Sequence, residues 1–170
     1  MLTGTLVTLR APQPGDRPVL KALRNDVPLQ IQLMAEPRPN GDAQVDAWLE
    51  RRLSEPDTLF AVIAEAGSDQ AAGFCQLTSV DRLHGRADLG ICLAASARGR
   101  GYAAEAIQLL ERHAQEVLGL RKVVLKVLST NEAARRLYAK VGYRTVGVLR
   151  AHFRHAGVYH DVEIMEHMLE

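Results

Sequence analysis

Residues 98–103 read Arg98-Gly99-Arg100-Gly101-Tyr102-Ala103 and stand between an apolar run, Leu89–Leu93, and a segment with helical spacing. Glycines at a helix start leave backbone N–H groups facing outward, where they hold phosphate oxygens. A side chain at Gly99 or Gly101 would keep those amides from closing on an anion. Arg98 and Arg100 add fixed positive charge. The chemistry expected of this loop is capture of an anion, in the first place a pyrophosphate.

Other residues carry chemistry whose spacing alone leaves the role open. Tyr138 sits on the apolar face of a helix, either as core or as a phenol able to give a proton. Asn131 stands at the start of that helix, where it either satisfies local backbone or faces a ligand. Asp88 lies in a strand and either takes a proton from an ammonium, directly or through water, or pairs with Arg86. His152-x-x-His155 has loop spacing and no third ligand, so no metal site is expected. Arg135, Arg136 and Lys140 cluster positive charge on the Tyr138 helix.

The glycine loop also fits a dinucleotide fingerprint, Gly99-x-Gly101-x-x-Ala104. That reading needs an acid about 20 positions on, at the end of the next strand. The next strand, Arg121–Leu128, has neither Asp nor Glu, and too little chain follows for a doubly wound domain.

The elements that must position these residues follow from pattern. Leu6–Leu9 alternates as a strand. Asp16 and Pro18 are cap-like, ahead of a helix with Val19, Ala22 and Leu23. Pro28, Pro37, Pro39 and Gly41 mark 27–41 as a loop with room for a helical turn inside. Asp42 opens a helix with Val45, Trp48, Leu49 and Leu53 on one face, ended by Pro56. Strands are expected at Leu59–Glu65, Gly73–Val80 and Ala87–Leu93. Ala103, Ala106, Ile107, Leu110, Ala114, Val117 and Leu118 form the stripe of a long helix that stops at Gly119, with Glu105 off the stripe. Lys122–Leu128 is a strand. Ser129-x-x-Glu132 reads as a capping box for a helix carrying Ala134, Leu137, Tyr138 and Val141, ended by Gly142. Tyr143–Arg150 and Tyr159–Met168 are strands around a His/Arg-rich loop. The strand-helix-strand passage from 87 to 128 predicts a parallel crossover in an otherwise antiparallel sheet.

With 170 residues, 47% hydrophobic composition and net charge +1, the chain reads as one domain spanning 1–170. The balance argues against wholesale nucleic-acid binding, and no apolar stretch is long enough to span a bilayer. No signal segment is evident at the N-terminus, and Cys75 and Cys92 read as reduced core residues. A cytoplasmic location is the expectation.

Two separated patterns then agree. Arg98-x-x-Gly101-x-Ala103 resembles the acyl-CoA pyrophosphate loop of the GNAT N-acetyltransferase superfamily. Asn131-x-x-Ala134-x-x-Leu137-Tyr138-x-x-x-Gly142-Tyr143 resembles its second motif, one helix and one strand later. Leu9-Arg10-Ala11, Leu23–Asp26 and Gly147–Met165 look like the ribosomal-protein N-acetyltransferase branch, with polyamine and amino-sugar enzymes nearby.

The resemblance implies an α/β GNAT fold: a mixed, mostly antiparallel sheet of about seven strands, splayed at its parallel pair, with about four helices. It implies acetyl-CoA as co-substrate, no metal, and direct attack by a primary amine in a ternary complex. Backbone of Ile91, Cys92 and Leu93 would pair with the pantetheine arm. The amides of Arg98, Gly99, Arg100, Gly101, Tyr102 and Ala103 would hold the pyrophosphate. Asn131 would contact pantetheine, Ala134 would leave room for it, Tyr138 would protonate the departing thiolate, and Asp88 is the candidate base.

The 27–41 loop, with Glu36 and Arg38, and the cationic 151–157 loop would wall the acceptor. They suit a peptide N-terminus or an amino-sugar compound better than a polyamine or aminoglycoside. A non-catalytic acyl-CoA sensor is the rival class. Dimers are common in the family, and the C-terminal strands offer a homodimer interface.

Overall fold

In the computed structural model, which describes residues 1–169, the strands are β1 (Leu2–Thr3), β2 (Val7–Arg10), β3 (Leu59–Glu65), β4 (Ala71–Asp81), β5 (Arg86–Leu93), β6 (Lys122–Leu128), β7 (Arg144–His155) and β8 (Val158–Met168). The helices are α1 (Arg17–Asn25), α2 (Val27–Gln32), α3 (Asp42–Ser54), α4 (Tyr102–Glu116) and α5 (Glu132–Lys140). The strands form one eight-stranded sheet in the order β1-β2-β3-β4-β5-β6-β8-β7. Every neighbouring pair is antiparallel except β5 and β6, which α4 connects as a crossover. This is the GNAT fold, with β1 and α2 beyond the expected number of elements.

The parallel pair is short. Arg86, Ala87 and Asp88 face Lys122, Val123 and Val124, and no pairing follows. Strand β6 stays with β8 as far as Leu128 opposite Val162. Strand β5 stays with β4 as far as Leu93 opposite Gly73. The sheet therefore opens as a V between β5 and β6.

Apolar residues bury on both faces. Along β3, Ala61 and Ile63 pack with Val7, Cys75, Ile107 and Leu110 under α4. The alternate residues Phe60 and Val62 pack with Leu20, Leu23, Trp48, Phe74 and Cys92 under α1 to α3, as the two-residue period of a strand requires. Trp48, Phe60 and Phe74 form a triad with ring centroids 5.2 to 5.5 Å apart.

Two local readings change and one sharpens. The helical turn allowed within the 27–41 loop is a six-residue helix at its start. Pro28 occupies its first turn, where no N–H is needed, and Asp26 accepts from the Leu29 N–H at 2.9 Å. The His/Arg segment is a paired arm rather than a loop. Phe153, Arg154 and His155 face His160, Tyr159 and Val158. Ala156 and Gly157, with φ of 48° and 81°, make the tight turn. Helix α5 is capped by Asn131, not Ser129, through the Ala134 N–H at 3.2 Å.

Asp16 makes no cap hydrogen bond to α1. Its carboxylate takes the Arg10 fork at 2.7 and 2.9 Å and the Gln13 N–H at 2.7 Å, tying β2 to the approach of α1. Burial acts to raise the Asp16 pKa; the Arg10 hydrogen bonds and the Gln13 N–H outweigh it and hold the carboxyl below its usual value. A carboxylate with a depressed folded pKa stabilises fully above its unfolded pKa, about 3.9, and loses that contribution as pH falls through the folded value. Asp16→Asn is expected to lower the unfolding free energy by about 1–3 kcal/mol at neutral pH, the scale of lost hydrogen bonds to a charged group, because Arg10 keeps Asp69 at 2.7 Å. Urea denaturation should show the gap to wild type closing below pH ~4.

Candidate active site

Where β5 and β6 part, a cavity of about 760 Å³ opens. Strand β5 contributes Asp88 through Leu93, and β6 contributes Leu125, Lys126 and Val127. The glycine loop and first turn of α4 contribute Arg98, Gly99, Gly101, Tyr102, Ala103 and Ala104. Asn131, Ala134, Arg136, Leu137, Tyr138 and Lys140 close it from α5, and Leu29, Gln32, Leu33 and Met34 from α2 and its end. Past Asp88, the side of β5 that faces β6 has no strand partner.

The loop is shaped by two left-handed glycines, Gly99 at φ 73° and Gly101 at φ 83°. A Cβ at Gly99 would meet no atom within 4 Å, so backbone conformation alone selects glycine there. At Gly101 a Cβ would also stand 3.2 Å from Leu6 Cδ1. Gly101 is the N-cap of α4 and offers no side chain to the first-turn amides. Those amides lack intrahelical acceptors and lie along the cavity wall, beside the positive end of the helix dipole.

The two arginines of the loop divide. Arg98 lines the cavity; its Nε donates to Leu93 O at 3.2 Å, and its guanidinium is 3.8 Å from Asp26. Arg100 lies outside the cavity. Its guanidinium pairs with Glu65 at 2.5 Å and stacks over the Tyr102 ring at 4.6 Å. The Tyr102 hydroxyl donates to the same carboxylate, and Tyr102, Ser68 and Arg100 together hold Glu65 below the usual carboxylate range. Only the backbone of residue 100 remains as a candidate anion contact.

On α5, Asn131 caps the helix and lines the cavity at once. The Tyr138 ring packs against Tyr143 at 5.8 Å. Among the described residues no hydrogen-bond partner meets the Tyr138 hydroxyl. Burial pushes this phenol up to about 12, so it stays protonated near neutral pH. Burial likewise pushes the Cys92 thiol up to about 12, as it does Cys75. Cys92 is therefore no ready nucleophile.

Asp88 is exposed on the cavity wall and makes no ion pair among the described residues. Arg86, its suggested partner, reaches Asp81 at 3.4 Å instead. Lys126, the one charge within Val123–Leu128, comes to the same cavity from β6. Its place in an otherwise apolar run was the signal sequence reading passed over. His152, Arg154 and His155 lie on the β7–β8 arm and do not line the cavity. Among the described residues no group of three or more His, Cys, Asp or Glu could hold a metal ion. Among the described residues no helix is long and apolar enough to cross a membrane.

An acetyltransferase (GNAT) domain model matches residues 7–144. The chain belongs to the GNAT acetyltransferase family. It is thereby an acyltransferase. An uncharacterized, SPbeta prophage-derived N-acetyltransferase of Bacillus subtilis is 28% identical over 159 residues, 94% of this chain and 88% of that protein. The spermidine N(1)-acetyltransferase of Vibrio cholerae is 26% identical over 159 residues, covering 94% and 91% of the two chains. The crystal structure of spermidine N-acetyltransferase from Vibrio cholerae in complex with CoA and spermine gives a TM-score of 0.89 at 24% identity, covering 98% of this chain and 97% of that one. That likeness is one of fold. These GNAT relatives are not named for the ribosomal-protein branch to which the C-terminal residues pointed.

The glycine geometry predicts a graded outcome. Gly99→Ala should cost about 1–2 kcal/mol from the left-handed backbone alone, and Gly101→Ala more, because its Cβ also crowds Leu6. Chemical denaturation of the two variants checks the order.

Proposed function

We propose that this cavity holds acetyl-CoA and a small-molecule primary amine together, and that the acetyl group passes directly from thioester to amine. The observation that carries this reading is the convergence, in one cavity, of an unpaired strand edge, an uncapped helix N-terminus with its glycine loop, and an unpartnered phenol. The residues present fit the donor. The open edge of β5 at Ile91, Cys92 and Leu93 accepts an extended amide chain as an added strand. The amides of residues 98–103 meet a pyrophosphate, and Arg98, Arg136 and Lys140 supply charge for phosphate oxygens.

Acetyl-CoA supplies an acetyl group already activated as a thioester. The chain's task is then to hold the amine within about 3–3.5 Å of the carbonyl carbon, to orient backbone N–H groups near Leu93 toward the carbonyl oxygen, and to deliver a proton. Tyr138 Oη holds that proton and gives it to the departing sulfur. Asp88, exposed on the cavity wall where the pairing of β5 with β6 ends, takes the proton of the incoming ammonium through water.

For the acceptor, relatives named for spermidine support a polyamine over the peptide N-terminus or amino-sugar compound that the sequence suggested. The walls weigh the other way: Asp88 is the one acid among them, against Arg98, Lys126, Arg136 and Lys140.

The test is release of CoA thiol from acetyl-CoA across N-terminal peptides, amino-sugar compounds, polyamines and amino acids. One amine class should turn over. Tyr138→Phe should lower kcat by about 10²–10⁴ while stabilisation by CoA in a thermal melt persists. An unchanged kcat would remove the role given to Tyr138. Stabilisation by acetyl-CoA with no turnover of any amine would favour a non-catalytic sensor.

A further inference from the structure

Beside the cavity, outside its lining, α1 carries a cation without an acid. Arg24, in the last turn of α1, stacks over Trp48 with its guanidinium carbon 5.1 Å from the ring centroid. One Nη reaches Asn40 Oδ1 at 3.3 Å. Its Nε is buried without a hydrogen-bond partner, and among the described residues Arg24 forms no ion pair. Buried polar groups are partnered in the great majority of cases, so an orphaned guanidinium N–H asks for an acceptor.

Its neighbours sharpen the need. Arg51 and Arg52 turn to Glu55 at 3.9 and 2.9 Å. Arg38 forms no ion pair among the described residues. Burial, and next the like charge of Arg38, push the Arg24 pKa below its usual value. Two arginines thus share a small region with no carboxylate between them.

That region is rigidly built. Gln30 and Asn40, each 6% exposed, use their side-chain amides on backbone. Gln30 Nε2 donates to Arg24 O at 2.5 Å and Asn40 Nδ2 donates to the same oxygen at 2.7 Å. Gln30 Oε1 accepts the Arg38 N–H at 2.9 Å, and Asn25 Oδ1 accepts the Asn40 N–H at 2.8 Å. Buried amides fix the backbone of both arginines while their charges stay unanswered.

The cavity is next door. Asp26, two residues on, caps α2 and approaches Arg98 to 3.8 Å. The Cys92 thiol, on the cavity wall, lies within the electrostatic reach of Arg24, Arg98 and Asp26. We infer that Arg24, with Arg38, holds an anionic group of the acceptor, so that the preferred substrate is a primary amine bearing a carboxylate or phosphate. This rests on the acetyl-transfer reading of the same cavity. A guanidinium fork suits either group, and two unanswered cations repel a polyamine.

The experiment compares kcat/KM for matched acceptors: alanine against alaninamide, glucosamine 6-phosphate against glucosamine, and spermidine. The expected result is a preference of at least about tenfold for one anionic amine over its neutral counterpart. The active pair tells carboxylate from phosphate. Arg24→Gln and, independently, Arg38→Gln should erode that preference while KM for acetyl-CoA stays within about twofold. Arg24→Lys should keep part of it. Equal rates within both pairs, a preference unmoved in both Gln variants, or spermidine as the best acceptor would overturn the inference.

If no amine is acetylated, the acetyl-transfer reading fails by itself. The anion site is then judged by thermal melts with inorganic phosphate at saturating CoA. A rise in wild type that is lost in Arg24→Gln supports the site, and equal shifts overturn it.

Discussion

The structure turns on a separation. Strands β5 and β6 pair over three residues and then part, because each is committed elsewhere: β5 to β4 up to Leu93, and β6 to β8 up to Leu128. A strand edge with bare amides and carbonyls in the middle of a sheet is costly unless solvent or a ligand answers it. Every feature of the cleft is arranged around that opening. Helices α4 and α5 begin at its two sides, and small residues, Gly90, Ala103, Ala104 and Ala134, line the space.

Within the opening the protein separates what must react from what must stay inert. Tyr138 and Cys92 share the cavity, and burial raises both above their usual pKa. For the phenol this keeps its proton in place, as the role proposed for Tyr138 requires. For the thiol it suppresses a nucleophile that would compete for an acyl group. One physical cause, desolvation, serves opposite chemical ends because one group is needed protonated and the other unreactive.

The parts of this arrangement that sequence exposed are those set by local backbone. Gly99 and Gly101 announce left-handed conformations, and the Asn131-to-Tyr138 spacing announces a helix face turned to the cleft. Their meeting in one cavity was legible because only one helix and one strand separate them. What stayed hidden depends on partners far along the chain. Arg100 looked like a phosphate ligand until Glu65, thirty-five residues earlier, claimed its guanidinium. Asp16 looked like a cap until Arg10 took its carboxylate. Pro28 signalled a break, but Asp26 beside it supplied the cap that makes proline a helix starter. The His/Arg segment read as a loop because Ala156, not a second glycine, takes one left-handed position of its turn.

Glu105 shows how such a distant commitment shapes the anion site. Four positions into α4, its carboxylate does not turn back to the helix's own first amides. It accepts from the N–H groups of Thr5, Leu6 and Val7 at 2.7 to 2.8 Å. The N-terminal segment thereby acts as a holdback, keeping the Glu105 carboxylate from the helix's positive end. The wall to which the proposed function gives the donor's phosphates thus depends, through Glu105, on backbone about a hundred residues earlier in the chain.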